Sequence, residues 1–126
     1  MKPWLLIAAA NGIVAVAAGA YGHHALDLQD DLFRTAFLTG VTYQMWHGLA
    51  LLAVAWLVDR GPAGRSQAVL AGTFFTAGIV LFSGSLYWLG FFGSLFLPHA
   101  APFGGILFML GWAALGWSAL KQAPKT

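Results

Sequence analysis

The chain has 126 residues, of which 60% are hydrophobic and 8% charged, with a formal net charge of +2 and no cysteine. Soluble domains carry roughly 25% charged residues, so this composition excludes a water-solvated globule and leaves a membrane protein. It also excludes disulfides, thiolate metal sites, iron–sulfur clusters and cysteine nucleophiles, and its scattered basic residues form no patch for a nucleic-acid backbone, so no nucleic-acid partner is expected.

A hydrocarbon core about 30 Å thick takes about 20 apolar residues of helix, the element that satisfies its own backbone where water is absent. The first such stretch is residues 3–22, PWLLIAAANGIVAVAAGAYG, with Asn11 as its strongly polar member. A positive start and small residues at its end also suit a secretory signal, but the apolar run exceeds the roughly 7–15 residues of a signal core, so a retained helix is expected. Ala8, Gly12, Ala15, Gly19 and Gly22 recur at steps of three or four, a stripe on which a neighbouring helix could pack closely. His23, His24, Asp27, Asp30 and Asp31 follow. With His99, His24 and Asp27 are the polar candidates on this side of the membrane. Their spacing matches no zinc pattern, and adjacent helical histidines point about 100° apart. Solvated or loop-packing histidines are therefore favoured, and no metal site is expected.

The second span covers residues 38–58, reached through the more polar 30–37. Asp30 or Asp31 can cap this helix, and Arg34 follows at ion-pair spacing. Within YQMWHG, His47 falls near the bilayer centre, with Gln44 at i−3 and Tyr43 at i−4 on the same side. Asn11 lies at similar depth on the first span. Polar side chains there must face the bundle and find partners, which predicts a midplane cluster of Asn11, Tyr43, Gln44 and His47, with an Asn11–His47 hydrogen bond. A buried histidine suits a proton relay or a cofactor. Here no intramembrane carboxylate or amine accompanies it, and the second mid-membrane histidine of a bis-histidine haem is missing. A neutral histidine fixing helix register is the favoured reading, and no cofactor is expected.

The third span covers residues 67–91 and the fourth 103–120. Gly72, Thr76, Ser83 and Gly84 mark a seam on the third, and Gly104, Phe108, Gly111 and Leu115 one on the fourth. The glycines expected to mediate helix packing are thus Gly12, Gly19, Gly84, Gly104 and Gly111. Between these spans, PHAAP places His99 beside prolines, and Pro102 suits an early helical position. Ser83 and Ser85 have no acid nearby, and no nucleophile with its activating base emerges, so no catalytic residue is predicted.

The whole chain, 1–126, reads as a single transmembrane domain: an all-α integral membrane protein, a four-transmembrane-helix bundle. Lys2, Arg60, Arg65, Lys121 and Lys125 stand on one side against Arg34 on the other, which predicts both termini in the cytoplasm, or in the matrix of a mitochondrion. Trp4, Trp56 and Trp117 at that end, and Tyr21, Tyr87 and Trp88 at the other, suit the two headgroup levels.

Four stretches, NGIVAVAAGAYGHHAL, TAFLTGVTYQMWHGLALL, LFSGSLYWL and APFGGILFMLGW, resemble in order and spacing the small four-span proteins similar to bacterial YgdD and eukaryotic transmembrane protein 256, grouped as domain of unknown function 423. The likeness spans nearly the whole chain. By position it carries over Gly22, His24, Tyr43, Gln44, His47, Ser83, Gly84, Ser85, Tyr87, Pro102, Gly104 and Gly105. The family's motif at the end of the first span reads Gly-Ala-Phe-Gly-Ala-His, from which Tyr21 and His23 depart, so a ligand role suits His24 better than His23. The resemblance implies a multi-pass protein of the bacterial inner membrane or the mitochondrial inner membrane, and no reaction. The expected function is a non-enzymatic scaffold or accessory subunit, in a homo-oligomer or a larger membrane complex with other subunits. The alternative is a small-solute or proton transporter using the midplane cluster.

Overall fold

The computed structural model describes residues 2–24, 31–94 and 98–122. Four helices of crossing length make up the described chain: α1 (Lys2–His24), α2 (Asp31–Asp59), α3 (Arg65–Phe92) and α4 (Ala100–Lys121). At 1.5 Å per residue the shortest, at 22 residues, extends about 33 Å, enough for a hydrocarbon core. Glycine shapes the breaks. Gly64 precedes α3 with φ at 77°, and Gly93 ends it at φ 67°, donating its N–H back to the Leu89 carbonyl in a left-handed cap that a side chain would strain.

The short α2–α3 turn is tied down from both sides. Ser118 Oγ donates to the Gly64 carbonyl at 2.7 Å, Gln122 Nε2 to the Ala63 carbonyl at 2.5 Å, and Arg60 Nε to Gln122 Oε1 at 3.3 Å. This network puts the end of α2, the start of α3 and the end of α4 at one level, and Trp4 reaching Gly72 adds the start of α1. Lys2, Arg60, Arg65 and Lys121 therefore share the end of the bundle where α1 begins and α4 ends, while Arg34 stands at the far end.

Around a centre of Leu51, Val54 and Phe75 close Ala8, Ala50, Ala71, Ile79, Phe108 and Ala114. α1 packs mainly on α2. α3 changes partner along its length, with its near half against α4 and its far half against α2. A π turn, Ile79–Ser83, marks the change. Buried Ala68 and Phe75 are seven residues apart, as are buried Ser83 and Gly90, but eight separate Phe75 from Ser83. The wider π turn absorbs the extra residue, and Ser83 Oγ fastens it to α2 by donating to the Gly40 carbonyl at 2.7 Å. Nothing in the sequence reading anticipated this turn.

The helices approach by fitting rings over glycines. A Cβ added to Gly111 would lie 2.6 Å from Phe75, one on Gly78 2.6 Å from Phe108, one on Gly72 2.5 Å from Trp4, and one on Gly104 2.5 Å from the Phe82 backbone nitrogen. Gly19 is looser, 3.3 Å from Val41. Gly12 and Gly84 differ from expectation: a Cβ on either meets nothing within 4 Å. On α1 the buried positions are Ala8, Ala15 and Gly22, one every seven residues, which turns Gly12 to the rim of the seam. On α3 the π turn buries Ser83 and leaves its neighbour Gly84 on the outside.

Large apolar side chains cover the outside, including Leu6 (64% exposed), Val16 (65%), Met109 (66%) and Leu120 (87%). Water would penalise such a surface, whereas lipid chains solvate it. The seams set the expected response to overpacking. Gly111→Leu lowers the stability of the chain in detergent by roughly 1–3 kcal/mol, whereas Gly116→Leu, at a position open on all sides, leaves the thermal unfolding midpoint almost unchanged.

Candidate functional site

α2 is 29 residues long, so Gln44 and His47 lie near its middle, the depth at which an unpaired polar group is most costly. Three residues apart, the two side chains leave the helix about 60° from each other and serve different neighbours. Gln44 is buried and bridges three helices: its Nε2 donates to Asn11 Oδ1 on α1 at 3.0 Å, and its Oε1 accepts from the Tyr87 hydroxyl on α3 at 2.5 Å. Asn11 completes the chain by donating Nδ2 to the Ile7 carbonyl at 2.9 Å.

His47 turns instead toward α4. Its Nδ1 lies 2.7 Å from the Tyr43 carbonyl and its Nε2 accepts from Trp112 Nε1 at 3.1 Å. A carbonyl can only accept and an indole N–H can only donate, so this pairing is satisfied by the neutral imidazole with its proton on Nδ1. The ring stacks on Phe108 at a centroid distance of 3.6 Å, with Phe75 and Trp112 at 5.5 and 5.9 Å. The expected Asn11–His47 bond is not formed: Asn11 faces Gly48 and Gln44, a residue long enough to reach across the seam, and His47 points away from α1.

Tyr43 lies beside this cluster without joining it by its hydroxyl, which makes no hydrogen bond among the described residues. Its ring packs on Phe82 at 4.5 Å and Trp46 at 5.0 Å. Together with His47, Gly105, Met109 and Trp112 these rings line a cleft of about 460 Å³ between α2 and the far half of α4, beside the π turn of α3. Tyr87 was placed by the sequence at the headgroup level, and Trp112 was not singled out. The signal for Trp112 was an indole N–H in mid-span, which needs an acceptor wherever water is excluded.

At the far end Arg34 makes backbone contacts, and among the described residues it forms no ion pair with Asp31. Arg34 Nε donates to the Gly22 carbonyl at 3.2 Å and Nη2 to the His23 carbonyl at 3.5 Å. The last carbonyls of α1 lack intrahelical partners and carry the negative end of its dipole, which gives the guanidinium a fixed target. Asp27 and Asp30 lie outside the described residues. His24 and His99 are both exposed, and no hydrogen bond joins them. Among the described residues no three His, Cys, Asp or Glu side chains are grouped to hold a metal ion.

Residues 18–105 match the family model described as "Protein of unknown function (DUF423)". The chain is 38% identical over 122 residues to the UPF0382 membrane protein YwdK of Bacillus subtilis, covering 96% of this chain and 98% of that protein. It is 37% identical over 120 residues to a UPF0382 membrane protein of Haemophilus influenzae, covering 94% of each. With the UPF0382 inner membrane protein YgdD of Escherichia coli it shares 34% identity over 122 residues, covering 96% of this chain and 92% of that protein. No solved structure matches the chain.

Loss of Gln44 should be felt on three helices. Gln44→Leu removes two interhelical hydrogen bonds and lowers stability by about 1–2 kcal/mol, and a double-mutant cycle with Asn11→Leu gives a coupling of roughly 0.6 kcal/mol, read from equilibrium unfolding in mixed micelles.

Proposed function

The chain belongs to the DUF423 family of membrane proteins, and from that starting point we propose that it acts as a non-enzymatic scaffold or accessory subunit within the bilayer. The observation that carries this reading is the use of its mid-depth polar groups. Asn11, Gln44, Tyr87, His47 and Trp112 satisfy one another or a backbone carbonyl, leaving no charged group beside them to pass a proton or bind a solute. A donor chain that ends on the Ile7 carbonyl is suited to fixing helix register.

The second support is what the bundle leaves open. Around Gly12 a shallow groove of about 340 Å³, with Ala8, Ala9 and Gly48 in its floor, runs between α1 and α2. Small residues facing lipid waste contact area there, and they allow a further helix to approach closely. The occupant is a second copy of this chain or a subunit of a larger complex. The membrane is the bacterial inner membrane named for the Escherichia coli relative, or its mitochondrial counterpart. The excess of Lys and Arg at the terminal end points both termini to the cytoplasm or matrix.

A transporter is the second reading, favoured by the cleft that reaches His47. One preparation separates the two. In mild detergent the wild-type chain runs as a discrete oligomer or with defined partners, and Gly12→Trp disperses it while keeping its thermal stability. A monomeric wild type that moves protons or solutes in liposomes, with flux abolished by His47→Ala, decides for transport instead.

Because the chain contains no cysteine, orientation can be read from single substitutions. A membrane-impermeant maleimide added outside intact cells labels Ser94→Cys and leaves Lys121→Cys unlabelled; the reverse pattern overturns the assignment.

A further inference from the structure

The cleft between α2 and α4 has features that helix packing alone does not account for. Its volume of about 460 Å³ falls within the roughly 300–1,000 Å³ of small-molecule sites. Aromatic side chains supply much of its wall: Tyr43, Trp46, Phe82, Phe108 and Trp112 line it with His47. Phe82 reaches the wall because the π turn gives the buried position to Ser83, and such turns recur at functional sites. Two residues of this lining carry hydrogen-bond donors with no acceptor among the described residues, the Tyr43 hydroxyl and the indole N–H of Trp46, a residue 55% exposed at the lipid-facing mouth. Charged groups are absent from the walls.

Two unmatched donors in hydrocarbon call for an occupant that brings acceptors, carries no charge and is flat enough to lie among ring faces. The depth narrows the choice. At 1.5 Å per residue Tyr43 and Trp46 lie about 8 and 12 Å inside the nearer end of the 38–58 span, below the level of the phospholipid ester carbonyls. A polyprenyl-anchored ring reaches that depth without difficulty. The outer wall is open to lipid, with Ile106 47% and Met109 66% exposed, which leaves a path for an apolar tail.

We propose that this cleft binds the ring of an isoprenoid quinone, with Tyr43 and Trp46 donating to its carbonyl oxygens and the aromatic walls enclosing its faces. The site borders His47 and Trp112, which the scaffold reading also uses, but its donors are Tyr43 and Trp46, on which that reading does not rest.

Full-length chain in nanodiscs of defined phospholipid, probed with a photoreactive benzoquinone bearing one isoprenyl unit, tests the assignment. Saturable labelling is expected on peptides containing Tyr43–Trp46 or Gly105–Trp112, competed by the unlabelled quinone and not by added phospholipid. Tyr43→Phe, which keeps the ring and removes the donor, weakens binding roughly fivefold to tenfold. Gly105→Leu fills the cleft from a position where a Cβ meets nothing within 4 Å. It abolishes labelling with the unfolding midpoint unchanged, while Gly116→Leu, outside the cleft, labels as wild type. Labelling that does not saturate, that persists in Gly105→Leu, or that phospholipid displaces overturns the proposal.

Discussion

Hydrocarbon offers no hydrogen bonds, so each polar side chain at mid-depth is stable only in an arrangement that supplies its partner. In this bundle the residue that meets that condition for several neighbours at once is Gln44. An amide both donates and accepts, and Gln44 uses one function toward Asn11 and the other toward Tyr87. Sliding α1 or α3 along α2, or rotating either one, separates at least one of these pairs. The register of three helices is therefore set by one side chain, and the apolar contacts around Leu51, Val54 and Phe75 form inside the alignment it imposes.

Those apolar contacts follow a single theme. Leucine gains little by leaving lipid for another helix, so the attraction must come from close fit. Gly72 takes the ring of Trp4, Gly78 that of Phe108, Gly90 that of Phe37 and Gly111 that of Phe75, each at a distance that leaves no room for a methyl group. Rings bring large contact area with few rotatable bonds, and glycines bring the backbone within reach of it. Leu51, Val54, Leu57 and Ile79 fill the core beside these rings, while most other leucines and valines crowd the lipid-facing surface.

Much of this architecture could be read from residue order alone. Four apolar stretches of bilayer length admit one kind of fold, and Asn11, Gln44 and His47 stand out as polar residues in mid-span. Their pairing was not legible, because choosing between Gln44 and His47 as the partner of Asn11 needs the angle at which α1 crosses α2. Gly12 and Gly84 show a similar limit. A glycine that faces a ring and one that faces lipid look alike in a sequence, and only the three-dimensional seam distinguishes them. The acceptors of Arg34 were hidden for a different reason: spacing rules consider side-chain partners, and these are backbone carbonyls of another helix. Tyr87 and Trp112 were visible as aromatic residues, but an assignment to headgroup depth or to general packing hid the donor that each carries.

The extra residue in α3 reaches beyond its own turn. A helix of uniform pitch presents one continuous stripe, and two neighbours of equal length would both have to follow that stripe from end to end. α3 faces α4 below the π turn and α2 above it, and the wider turn lets Phe75 and Ser83 both stay buried across that change. α4 stays against α3 as far as Gly104, which meets Phe82, and only its first turn has little contact with the Gly84–Phe92 half of α3. Excising one residue between Phe75 and Ser83 would leave them seven apart, so that a plain α-helix would hold Ser83 beside Gly40 without the wider turn.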